Sequence, residues 1–156
     1  MANYYTTTRN TELSTLKFIK DNITSDWSKV NVVKSWSDLE KVASPVICIA
    51  LEDVTYDRNE LGSTEFRDTY VFHIDLFTTS EAMRIDLSHY VLNTLNSGWA
   101  YYTVAKGTGR VLTYTSAGRC RLDQIYSNTR VELGEKGDVK DKYRQSIIIG
   151  VTVGLA

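Results

Sequence analysis

Apolar positions recur at three- and four-residue steps in two stretches of the chain. In "TELSTLKFIKDNIT", residues 11–24, Leu13, Leu16, Ile19 and Ile23 share one side of a helix, with Asn10 or Thr11 placed to cap it. In "FTTSEAMRIDLSHYVLNTLNSG", Met83, Leu87, Val91 and Leu95, joined by Ile85 and Leu92, make a broader stripe. There Thr78 and Glu81 have capping-box spacing, and Gly98 supplies the stop. Each stretch predicts a helix that packs on one face.

Elsewhere the pattern is that of strands. "PVICIALEDVTYD" holds a continuous apolar run from Val46 to Leu51 behind Pro45 and predicts a central strand. "RDTYVFHIDLF" alternates Tyr70, Phe72, Ile74 and Leu76 with Val71, His73, Asp75 and Phe77, which predicts a partner with one apolar and one mixed face. The charged stretch "DRNELGSTEF" between them, with Gly62, makes the pair a hairpin with a long tip. "KVNVVKSW" at 29–36 predicts a short strand and "SDLEKV" a single helical turn. "WAYYTVAKG", "GRVLTYT", "GRCRLDQIYS" and "TRVELG" read as four short β pieces separated by glycines. "GEKGDVKDK" at 134–142 is a second charged tip, and "YRQSIIIGVTV" at 143–153 is a closing strand, placed either inside its own sheet or along a neighbour's edge. The expected fold is α+β: a mixed, mostly antiparallel sheet with two helices packed on one face and long hairpin loops. The 156 residues suit a single domain, with residues 1–10 expected as a flexible N-terminal arm.

Composition narrows the function classes. Hydrophobic residues at 42% and charged residues at 24% are the balance of a soluble globular domain, and no apolar run reaches the ~20 residues of a spanning helix. The opening "MANYYTTTRN" lacks a secretory pattern, so synthesis in the cytoplasm is expected. A formal charge of −1 gives no general footprint for nucleic acid. Cys48 and Cys120 lie far apart in strand-like runs and read as core residues, without zinc or disulfide spacing.

Candidate chemistry is sparse. His73 and Asp75 share a strand face and could form an acid–base pair, although the exposed polar face of a half-buried sheet is the simpler reading. His89 near Asp86 reads as a surface helix pair. "KGTGR" at 106–110 lacks the Lys-Ser/Thr ending of a phosphate loop, and Ser116 lacks a nucleophile elbow. "WAYY" at 99–102, near Lys106, Arg110, Arg119 and Arg121, offers aromatics for base stacking, against their ordinary use in strands. No catalytic, cofactor or metal residues are expected. Two charged tips and no catalytic constellation suit an assembly subunit better than an enzyme.

The order of elements, "LSTLKFIKDNI", "PVICIALED", the long hairpin into "RDTYVFHIDLF", "AMRIDLSHYVLNTL" and the final "YRQSIIIGVTV", resembles the tail terminator (tail completion) proteins of long-tailed bacteriophages over residues 11–153. The resemblance implies a virion protein of the neck, made in the host cytoplasm and assembled as a homohexameric ring on the head-proximal end of the tail tube. Such a ring stops tube polymerisation and docks the head connector or stopper, with genomic DNA passing through its lumen; no membrane is involved. A closed ring needs one patch to meet a different patch on the next subunit. The charged tips supply candidates for that contact or for partner contacts: Arg58, Glu60, Glu65, Arg67, Glu135, Lys136, Lys140 and Lys142. The extra β pieces of 99–134 keep head-closure and tail-to-head joining proteins as alternatives, beside a nucleic-acid-binding module and a small enzyme built on His73 and Asp75.

Overall fold

The computed structural model describes residues 3–27, 29–34, 36–39, 41–58, 61–62, 66–131 and 143–155. The elements run β1 (Asn3–Tyr4), α1 (Thr7–Asp26), β2 (Asn31–Val33), α2 (Trp36–Leu39), β3 (Val46–Arg58), β4 (Phe66–Phe77), α3 (Glu81–Asn96), β5 (Trp99–Lys106), β6 (Leu112–Arg130) and β7 (Arg144–Leu155). The strands form one sheet in the order β1-β5-β6-β7-β4-β3-β2. Among the described residues only the β2–β3 pair is parallel, so the expected α+β architecture with a mixed, mostly antiparallel sheet is present.

The alternation read from the sequence sets the two faces. Ile47 and Ile49 of β3, Tyr70 to Leu76 at even positions of β4, and Ile147, Ile149 and Val151 of β7 join Ile19 and Ile23 of α1 and Leu87, Val91 and Leu95 of α3 in one core. The opposite parity carries Val46, Cys48 and Phe77, which pack with Leu39 of the one-turn α2 in a small second cluster. The rest of that outer face has no helix on it among the described residues. Both long helices therefore lie on one side, as the apolar stripes require.

Three expectations are corrected. Residues 3–10 are not a loose arm: β1 pairs with β5, and α1 begins at Thr7 with Thr6 as its cap, the Thr6 hydroxyl accepting from the Arg9 N–H. Asn10 is inside the helix and buried because its side chain serves the sheet, its Oδ1 accepting the Val104 N–H at 3.2 Å and its Nδ2 donating to the Tyr101 hydroxyl. At the second helix the cap is Ser80, which accepts from the Met83 N–H, whereas Thr78 donates to the Tyr143 carbonyl. Lastly, the pieces from 112 to 130 are one 19-residue strand. Gly118 does not break it: a Cβ there would stand 2.2 Å from the Gly154 carbonyl oxygen, so glycine permits the close approach of β6 to β7.

The closing strand takes the interior position. β7 pairs with β4 from Tyr70↔Val151 to Phe77↔Arg144 and with β6 from Gly118↔Leu155 to Arg130↔Gln145. It lies inside its own sheet, not on a neighbour's edge.

Candidate interaction surfaces

Strand register places two hairpins at the same end of the sheet. β3 and β4 stay paired as far as Arg58↔Phe66, although β4 parts from β7 before Tyr70. β5 and β6 stay paired as far as Lys106↔Leu112, beyond the Gly118↔Leu155 pair that ends β7 on β6. The sheet thus forks, with the β3–β4 arm on one side and the β5–β6 arm on the other. Between the prongs lies an open cleft of about 780 Å³, whose walls carry Arg67, Asp68 and Tyr70 from β4, Arg119 and Arg121 from β6, and the end of β7.

Bulges aim side chains into and around this fork. An extra residue in β3 at Glu52 shifts the alternation, so Leu51 and Val54 both turn toward the core. Extra residues in β6 at Asp123 and Tyr126 do the same there, and Asp123 pairs with Arg67 at 3.0 Å. On the β3–β4 arm Tyr56 is 60% exposed and Leu61, at the tip, is fully exposed. Two large apolar side chains are thus exposed on a projecting hairpin.

Of the charged residues singled out at the tips, Arg58 and Arg67 are on this arm, both exposed, with Arg67 turned into the cleft. Glu60, Glu65, Glu135, Lys136, Lys140 and Lys142 lie outside the described residues. Sequence reading missed Arg119 and Arg121 as cleft residues because it placed them in a separate short strand beside "WAYY". That aromatic run does not form a stacking platform: Trp99 and Tyr101 are each 2% exposed in the core, and Tyr102 packs edge-on against Tyr114.

The outer face brings together a polar cluster. His73 Nε2 stands 2.7 Å from Ser146 Oγ and 3.4 Å from Asp75 Oδ2, while its Nδ1 is 3.3 Å from Glu52 Oε1. Arg144 donates twice to Asp75 Oδ1, at 2.9 and 3.1 Å, and Asp75 is only 2% exposed. His73 and Asp75 are thus brought together as expected, and Ser146, His73 and Glu52 have the connectivity of a serine triad. Acyl transfer also needs backbone N–H groups aimed at the developing oxyanion. Ser146 sits mid-strand with ladders on both sides, opposite Asp75 and Thr129, which commits the local backbone to sheet pairing. Burial pushes the Cys48 thiol up to about 11, with Asp75 adding to the effect and Arg144 opposing it, and pushes the Cys120 thiol up to about 12. Neither thiol is an activated nucleophile.

Among the described residues no three His, Cys, Asp or Glu side chains form a group able to hold a metal ion, and no helix is long and apolar enough to cross a membrane. The chain matches no protein-family model and no curated protein sequence.

Proposed function

We propose that the protein is a structural subunit of a phage neck, a tail terminator that assembles as a ring of six copies on the head-proximal end of the tail tube. The ring stops tube polymerisation and presents the surface on which the head connector or stopper docks, with genomic DNA crossing the lumen without sequence recognition. The observation that carries this reading is the fork: two hairpins leave the same end of the sheet, one of them with Tyr56 and Leu61 held out in solvent. An arm that holds such side chains in solvent suits contacts to other chains. The order of elements that resembles the tail terminators supports the same role.

Light scattering on the purified protein, with negative-stain images of the same sample, tests this directly. Six-fold rings support it. A protein that stays monomeric and also fails to bind purified tail tubes overturns it.

A further inference from the structure

The two sides of the sheet are finished differently. At the β5 side, β1 pairs with residues 105 and 106, the Tyr5 N–H donates to the Val104 carbonyl, and α1 supplies Ser14 Oγ and Asn10 Oδ1 to the Tyr102 and Val104 N–H groups. The outer side of β5 is thus covered from Tyr102 to Lys106. At the other side, β2 covers only Val46–Cys48. Among the described residues, β3 from Ile49 to Arg58 has a strand on one side alone. Its exposed portion carries Glu52, Asp53 and Asp57 against a single cation, Arg58.

The fork is the complement of that edge. Its walls bring Arg67, Arg119 and Arg121 together against Asp68, with Asp123 engaging Arg67 from the side. Among the described residues, β4 over 66–69 pairs with β3 alone, and β7 over 152–155 with β6 alone. Two strand edges part here around the cleft. Self-pairing of two β3 edges would set acid against acid, which is unfavourable.

We propose that the acidic open edge of β3 in one copy docks in the arginine-lined fork of the next copy by strand addition. The same β3–β4 arm then serves both contacts, its outer edge entering one neighbour and its inner edge forming a wall of the slot for another. One patch meets a different patch, so the contact repeats head to tail and closes into a ring. The inference deepens the ring reading above and rests on it for closure, but the contact itself is tested on the isolated protein.

The experiment uses D53R/D57R, which reverses the edge, R119E/R121E, which reverses the fork, and their combination. Because Arg119 donates to the Ser97 carbonyl at 2.7 Å, R121E alone is a second fork variant, with circular dichroism and thermal melts confirming that each protein folds. Light scattering across a concentration series should show each reversal weakening self-association about tenfold or more, because like charges then face each other across the contact. The combined variant should recover it. A mixture of the two separate reversals should also assemble, in alternation, since the basic edge of one meets the acidic fork of the other. Unchanged masses in the reversals, a mixture that stays monomeric, or a wild-type protein that neither associates nor cross-links at any concentration would overturn the contact. Rings that persist through both reversals would leave the tube-capping role standing on another interface. Rings that respond to charge as stated but ignore tail tubes would uphold the contact and sink the capping role.

Discussion

Gly118 of β6 passes so close to β7 that a Cβ on it would stand 2.2 Å from the Gly154 carbonyl oxygen and 3.0 Å from the Leu155 Cα. The obstacle is backbone, which cannot swing aside as a side chain does. Gly118→Ala therefore has to push the end of β7 away from β6, at the base of the fork. The expected loss is about 1–3 kcal/mol, the usual range for overpacking. Urea denaturation of the variant would show it as a lower midpoint. Gly109, whose Cβ would meet nothing within 4 Å but whose φ is +75°, gives a contrast: Gly109→Asn should be tolerated because asparagine accepts that backbone conformation.

The Asp75–Arg144 pair is held out of water on the outer face, with Arg144 also stacked over the Phe77 ring at 5.2 Å. Asp75→Ala leaves a guanidinium without its carboxylate in a poorly hydrated place. Breaking such a pair from one side costs about 3–5 kcal/mol, so this should be among the most destabilising polar substitutions in the chain. The matched double change Asp75→Ala with Arg144→Met should recover much of the loss. A double-mutant cycle in urea measures the difference.

Ser146, His73 and Glu52 have triad connectivity, and Ser146 is paired with a strand on both sides. A fluorophosphonate probe should leave Ser146 unlabelled, and Ser146→Ala should not alter ring formation. Stoichiometric labelling at Ser146 by mass spectrometry would instead place acyl-transfer chemistry on this face.

Cys120 and Cys48 are both protonated in the fold, with thiols raised by burial to about 12 and about 11 from an ordinary 9.0. The sign of the linkage follows. The unfolded chain loses these protons above pH 9 while the folded chain keeps them, so the stability they contribute is full below about 9 and falls as pH rises toward 11 and 12. Alkaline melts should show this decline. At pH 8 a thiol reagent should leave the folded protein unmodified and should modify both cysteines once urea unfolds it.

Much of the fold was legible because each core element carries its own period. Leu87, Val91 and Leu95 mark α3, and Tyr70, Phe72, Ile74 and Leu76 mark the buried face of β4, without reference to any other part of the chain. The misreadings came where a residue serves something distant. Asn10 and Thr11 look like caps, yet Asn10 is spent on Val104 and the Thr11 hydroxyl donates back to the Thr7 carbonyl, so α1 begins earlier. Gly118 looks like a break until Gly154 is placed beside it.

The candidate surface was half legible for the same reason. A charged loop between two strands announces a projecting hairpin, which pointed to Arg58 and Arg67. Nothing local to Arg119 or Arg121 announces that β6 brings them opposite Arg67, because that depends on where β4 leaves β7. Likewise Asp75 looked like an exposed strand residue, and its burial follows from Arg144, 69 residues along the chain.

The most direct test of the capping role is tube length. Purified tail tubes are incubated with the protein, free tube subunits are added, and lengths are measured by negative-stain microscopy. A ring is expected at one end of each tube, with no further growth from that end. Tubes that lengthen as fast with the protein as without it, and carry no added ring, would contradict it.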